Sequence, residues 1–346
     1  MALVAGTQTG PYIGKAYRAH TVRRTIPCIV LFIATVFVTG GTAKSPTKND
    51  LEQRRMARGK YLVEGPAHCF GCHSEADAAH GTDQPVPGRK GAGNVVDAEL
   101  AKAIGILPPF RLVCPNITPD KETGAGTWPD EVFVRALRQG IGHDGRTLFP
   151  LMPYNNFTLL SDEDLASVIV YIRSIPAVRN ELPKTSLPPP LLAVLKPLPA
   201  PGPTQPDLST VEKRGQYLVR LGNCSTCHTP VDDKAQPLPG MYLAGGRTFP
   251  TPWGVITSAN ITPDSSGISY YTKQKFIEVI HTGHVGARKL NPLMPASYFR
   301  NMTDEDLGNI FAFLRTVPPV RHRVDNTEAA VFCRVCRGKH GFGDKN

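Results

Sequence analysis

A pattern of two thiols and an imidazole occurs twice in this chain of 346 residues: Cys69, Cys72 and His73 in CFGCH, and Cys224, Cys227 and His228 in CSTCH. Thiols three residues apart fall on one side of a helical turn, where each can add to one of the two vinyl groups on a porphyrin edge. The next residue then turns its imidazole toward the iron. The spacing predicts two covalently bound haem c groups, with His73 and His228 as iron ligands. A zinc ribbon would place both CxxC pairs on one metal, yet each pair here keeps its own set of companions. A dithiol redox pair has no use for a histidine in the next position, twice.

The opposite ligand of each iron must come from further along the chain. Met152 in LFPLMPY and Met294 in LNPLMPA stand 79 residues after His73 and 66 after His228. Pro150, Pro153, Pro292 and Pro295 flank them and stiffen an otherwise mobile loop, holding a thioether where a weak ligand is needed. His143, His281 and His284 compete in principle, but no two of them stand at equivalent distances from the LMP segments, so they read as surface or loop residues. An iron held by His and Met has no vacant position: it moves single electrons and binds no substrate. The rival reading is a dihaem enzyme of the peroxidase or thiosulfate dehydrogenase type, and a gas sensor stands third. Both need an iron that is open or easily opened, and the matched methionines argue against it.

The elements that position these residues are themselves repeated. RGKYLVEGPAHCFGCH from Arg58 returns as RGQYLVRLGNCSTCH from Arg214, and NITPD, LMP, DEDL and the closing IRSIPAV/LRTVPPV recur in the same order, at offsets of 142 to 156 residues. That is a duplicated domain. It divides the chain into residues 50–182, a linker at 183–206, residues 207–322 and a tail at 323–346. The linker holds nine prolines in 24 residues, a composition that favours extended backbone and forbids a continuous helix, while its leucines lay it along a domain surface. Ser161 and Thr303, each followed by an aspartate three places on, mark helix starts, and Pro176 and Pro318 mark the stops. Each domain opens with a helix, around Leu51 to Leu62 and Leu208 to Leu218, in which Gly59 and Gly215 allow close helix contact. The remaining stretches, rich in Gly and Pro, read as loops. Asn116 and Asn260 read as structural, hydrogen-bonding loop backbone. Cys114 aligns with Ser258, as a small packed residue. Cys333 and Cys336 form a further CxxC, but Arg337 replaces the histidine, so it is no third haem site.

Residues 1–43 carry four basic residues and no acidic one, followed by an apolar stretch from Ile26 to Val38 and the small residues Gly41, Thr42 and Ala43. This reads as an export signal. Thirteen apolar residues rise about 20 Å as a helix, short of a hydrocarbon core of about 30 Å, which favours cleavage; retention of residues 25–43 as a membrane anchor is the alternative. Either way the body lies outside the cytoplasm, in the periplasm. The formal charge of +10 falls to +6 without those residues. With no Lys/Arg run interleaved with aromatics, nucleic acid is excluded, and an acidic protein surface fits better.

Together these motifs resemble the class I cytochrome c fold, and residues 54–320 look like a tandem dihaem cytochrome c. LAGGRTFPTPWGVITSANITPD, from Leu243 to Asp264, with LMP and TDEDL, is similar to the cytochrome c subunits of membrane-bound quinoprotein alcohol and flavoprotein gluconate dehydrogenases. The resemblance implies an all-α fold of two tandem domains with long Gly/Pro-rich loops, and Cys69, Cys72, His73, Met152, Cys224, Cys227, His228 and Met294 as haem residues. It also implies an electron carrier, not a catalytic subunit, passing electrons from a partner dehydrogenase to a respiratory acceptor: a quinone, an oxidase or another cytochrome. Two departures stand out. Those subunits usually carry three haem domains, and the first domain here shows AELAKAIGILPPF where the second has its Gly-rich TPxG portion.

Overall fold

The computed structural model describes residues 47–77, 84–103, 106–233, 235–251, 254–286, 288–324, 331–332 and 339–340. The export signal or anchor at residues 1–43 and the Cys333/Cys336 pair lie outside the described residues. Among those described, no helix is long and apolar enough to cross a membrane.

Thr47 and Asp50 exchange backbone and side-chain hydrogen bonds in a capping box that starts helix α1 (Lys48–Glu64). The chain continues through α2 (Cys69–Cys72), strand β1 (Asn94–Val95), α3 (Ala98–Ala103), β2 (Val113–Cys114), α4 (Asp130–Gln139), α5 (Tyr154–Phe157) and α6 (Asp162–Ser174). Ser161 caps α6 by accepting from the Asp164 amide at 3.0 Å, and the helix ends ahead of Pro176. The linker contains α7 (Pro189–Val194). The order then repeats as α8 (Val211–Leu221), α9 (Cys224–His228), β3 (Thr248–Thr251), β4 (Gly254–Thr257), α10 (Lys273–Thr282), β5 (His284–Val285), β6 (Arg288–Lys289), α11 (Ala296–Phe299) and α12 (Asp304–Thr316). Thr303 caps α12 as Ser161 caps α6. Strands β7 (Val331–Phe332) and β8 (Lys339–His340) follow. The described chain is mostly helical, and its strands are short antiparallel pairs.

Two of these elements depart from the loops expected of Gly/Pro-rich sequence. Between each CxxCH and its LMP stands a ten-residue helix, α4 or α10, which buries Val132, Phe133 and Leu137, or Phe276, Val279 and Ile280. Each ends at a glycine in the left-handed region, Gly140 or Gly283, both at φ 69°. The linker also departs from fully extended backbone, because prolines 189 and 190 occupy the first turn of α7, where a missing N–H costs nothing. It lies against the first half of the chain. Leu187, Leu191 and Leu195 pack with Ile106 of the AELAKAIGILPPF segment and with Leu112 just after it, and the Leu198 amide donates to the Gln139 carbonyl at 2.9 Å.

The two halves meet across a pseudo-symmetric seam. Tyr217 on α8 donates to Asp164 at the start of α6, at 2.7 Å, and the repeat-equivalent Tyr61 on α1 donates to Asp306 at the start of α12. Arg58 grips Asp164 through Nε and Nη2 at 2.7 and 2.9 Å, so the Tyr217 bond has an ionised acceptor. Tyr217 and Tyr298 from the second half also lie in the apolar core of the first. Tyr217→Phe is expected to lower stability by about 2 kcal/mol, the range for a hydrogen bond to a charged group. Urea denaturation followed by circular dichroism reads this, and an unchanged midpoint would mean the seam is held by apolar packing alone.

Candidate functional site

The CxxCH turns begin alike. His68 and Asn223, each immediately before the first cysteine, take left-handed backbone at φ 35° and 54°, which swings the chain from the opening helix into the turn. Asn tolerates that region, and His is several-fold enriched there. The imidazoles that follow are oriented by backbone carbonyls: His73 Nδ1 donates to Pro115 O at 2.9 Å, and His228 Nδ1 donates to Ala259 O at 2.8 Å. A proton fixed on Nδ1 leaves the Nε2 lone pair free for a metal. Burial lowers the pKa of both histidines, favouring the neutral form that ligates.

The acceptor carbonyls are held in turn by the NITPD asparagines. Asn116 Oδ1 accepts from the Thr118 amide and hydroxyl at 3.0 and 2.7 Å, while its Nδ2 donates to Val178 O at 2.7 Å. Asn260 does the same with Thr262 at 2.9 and 2.8 Å and with Val320 O at 2.9 Å. Both are fully enclosed, and both tie the loop that orients the histidine to the segment after the last helix of its half. Asn260→Ala leaves buried donors and a carbonyl unpaired and is expected to cost about 3 kcal/mol. Thermal unfolding measures it, and a loss confined to a few tenths would remove Asn260 from this role.

Met152 and Met294 sit in near-identical turns. The residue two places on donates back to each methionine carbonyl, Tyr154 at 2.8 Å and Ala296 at 2.7 Å. Between them Pro153 and Pro295 stand at φ −81°, ψ 51° and φ −76°, ψ 51°, an inverse γ-turn that the proline ring presets. One continuous cavity of about 690 Å³ is lined by both methionines, both histidines and all four CxxCH cysteines. The eight residues singled out from the sequence are thus brought together on the wall of one cavity. All four cysteines are free thiols, and burial pushes those of Cys69 and Cys224 up to about 12. Neutral thiols, a neutral imidazole with Nε2 free and a thioether lining the same cavity form a donor set that fits haem c.

Each methionine loop also reaches the other half's CxxCH turn. Asn156 on α5 donates to Asn223 at 2.6 Å, and the Phe299 ring on α11 stands edge-on to His68 at 5.4 Å. Two of the three competing histidines are engaged away from the cavity, and the third lines it. His281 bridges Arg300 O and Asp304 at 2.9 and 2.8 Å, His284 bonds the Thr282 carbonyl, and His143, which lines the cavity, stacks on Trp128 at 4.5 Å. Cys114 lines the same cavity as Cys72, on strand β2 directly before Pro115, whose carbonyl orients His73.

Two CxxCH turns, each with an oriented histidine and each accompanied by a methionine on the wall of the shared cavity, fit a c-type cytochrome, and comparison with known proteins agrees. The cytochrome c family model matches residues 56–176 and 212–318, and the chain belongs to that family. It is 31% identical over 314 residues to the fructose dehydrogenase cytochrome subunit of Gluconobacter japonicus, covering 84% of this chain and 60% of that protein. It is 29% identical over 292 residues to the alcohol dehydrogenase (quinone) cytochrome c subunit of Gluconobacter oxydans, covering 78% and 56%. A diheme cytochrome c-type protein of Cereibacter sphaeroides is 30% identical over 220 residues, 60% of this chain and 72% of that protein. The chain thus spans somewhat over half the length of the first two relatives.

Proposed function

We propose that this protein is a dihaem electron carrier, exported to the periplasm, that accepts electrons from a partner dehydrogenase and delivers them to a respiratory acceptor such as a quinone, an oxidase or another cytochrome. The observation that carries the reading is the single cavity lined by two matching Cys/Cys/His/Met sets. Haem c, when attached, supplies a reversible one-electron iron couple. In each half Cys69 and Cys72, or Cys224 and Cys227, would anchor the haem, with the Nε2 of His73 or His228 and the thioether of Met152 or Met294 as the donors offered to its iron. The apolar walls, among them Phe133, Leu137, Phe276 and Ile280, exclude water and favour the less charged reduced state, which raises the potential. Because both residue sets line one cavity, two bound haems would share it, and the chain would serve as a relay. The names of the dehydrogenase-subunit relatives support a dehydrogenase as donor.

The test is haem quantification with potentiometric optical titration of the purified protein. Two haems per chain, both reversible and neither binding carbon monoxide when reduced, are expected. One haem per chain, or ready carbon monoxide binding at one of them, would favour the enzyme reading.

A further inference from the structure

Each methionine loop braces the CxxCH turn of the opposite half. Asn156 stands four residues after Met152, yet its side chain reaches the turn of the second half, where Nδ2 donates to Asn223 Oδ1 at 2.6 Å. That oxygen also accepts from the Thr226 hydroxyl, inside CSTCH, while the Thr226 amide donates to the Asn223 carbonyl at 3.1 Å. Asn223 thus closes the turn that begins at Cys224, and Asn156 is the outside donor that holds its carboxamide. The repeat-equivalent pair makes the same crossing in aromatic form. Tyr298 stands four residues after Met294 and lies beside His68, the counterpart of Asn223, with ring centroids 6.3 Å apart. Gly71 takes the place of Thr226, and a Cβ there would stand 3.5 Å from the Tyr298 ring. Asn223, His68, Gly71 and Tyr298 all line the shared cavity.

We propose that Asn156 and Tyr298 are crossed positioning residues, each carried by the methionine loop of one haem site and holding the CxxCH turn of the other, so that the two redox centres tune one another. The inference rests on the dihaem reading above. Asn223 sits at φ 54°, a conformation that its bonds to Thr226 and Asn156 over-determine. His228 follows within the same turn, so the geometry of that turn sets how its imidazole is presented and how well water is kept from the CSTCH side of the cavity. With the Asn156 donor gone, Asn223 keeps only its local bond to Thr226. The turn loosens, water enters and the more highly charged oxidised state gains, which lowers the potential. A residue acting only on its own loop would instead disturb Met152, and with it the first haem. The crossing assigns the effect to the second.

The test is potentiometric titration of Asn156→Leu in the holoprotein, with each methionine variant as a background that leaves one native couple. In Met152→Ala the native couple belongs to the second haem. There Asn156→Leu is expected to lower the reduction equilibrium constant roughly threefold or more, which at about 59 mV per tenfold for one electron is about 28 mV. In Met294→Ala the native couple belongs to the first haem, and the same substitution is expected to leave it unmoved. Asn223→Gly keeps the left-handed backbone without the carboxamide; it should lower the second couple by itself and abolish any further effect of Asn156→Leu, because the two residues act as one unit. Tyr298→Leu should reverse the pattern, moving the first couple and sparing the second. Tyr298 is buried, so if that variant fails to fold the Asn156 and Asn223 variants decide the matter. No shift of the second couple, equal shifts of both, a shift of the first alone, or additive Asn156 and Asn223 effects would overturn the proposal. One haem per chain, or methionine backgrounds with both potentials unaltered, would instead overturn the haem and ligand reading beneath it.

Discussion

Gly215→Ala is expected to destabilise the protein by about 3 kcal/mol or more, the upper end of what forced overpacking costs. A Cβ at this position on α8 would lie 1.9 Å from the Asn309 carbonyl oxygen and 2.8 Å from the Phe313 Cβ on α12. Both obstacles are rigid: one is backbone inside a helix, the other the root of a buried ring. Alanine in a helix gains about 1 kcal/mol over glycine from propensity alone, so the clash must be weighed against a real benefit. The clash wins, because the helices have to separate by about an ångström, which opens the close-packed interface along its whole length. Gly59, in α1, faces Ser167 O at the same 1.9 Å and should behave alike. Gly202 in the linker meets nothing within 4 Å and is the control, with an expected change near zero. Chemical denaturation of the three variants measures the ranking. A Gly215→Ala midpoint at or above wild type would show that the α8–α12 crossing is not the close contact described.

The same two glycines show why part of this fold is legible in sequence. A glycine amid an apolar helical face, repeated at the same point of a duplicated unit, has few explanations besides close approach, and Ser161 and Thr303 declare their helices because a cap is a local bond between neighbours. The CxxCH and LMP residues are readable for a chemical reason, since their types and spacing suit one prosthetic group. Helices α4 and α10 were hidden by flanking Gly and Pro, though an amphipathic run ending at Gly140 or Gly283 is a signal that finds them. Other features leave no local trace. The carbonyls of Pro115 and Ala259 orient the histidines, yet any residue carries a carbonyl, and only folding brings one to an imidazole. Tyr61 and Tyr217 look like ordinary core aromatics until their hydroxyls find aspartates in the other half of the chain. Cys114 sits 42 residues from Cys72 in sequence, and only folding places both on the wall of one cavity.

Met294→Ala is expected to lower the potential of one haem by on the order of 0.1 V or more, a fraction of the roughly 0.8 V that axial ligands span. The same variant should acquire a high-spin signature and carbon monoxide binding at that haem alone. Met294 also packs against the apolar core of its half, so the structural and electronic consequences need separating. A methionine that only fills space would, on truncation, cost about 2 kcal/mol of stability and leave the potential and spin state where they were. A methionine that closes the iron's far side changes both, whatever the effect on stability. Its setting makes the second outcome the expected one: the Pro295 turn fixes the backbone, and the side chain lines the cavity that His228 also lines. Met152→Ala should reproduce the shift for the other haem, because the Pro153 turn is the same to within a few degrees. The double variant should show two low-potential, carbon monoxide-binding centres. A Met294→Ala protein with both potentials unchanged and no carbon monoxide adduct would exclude that thioether from the ligand set and return the second haem to the open-site readings.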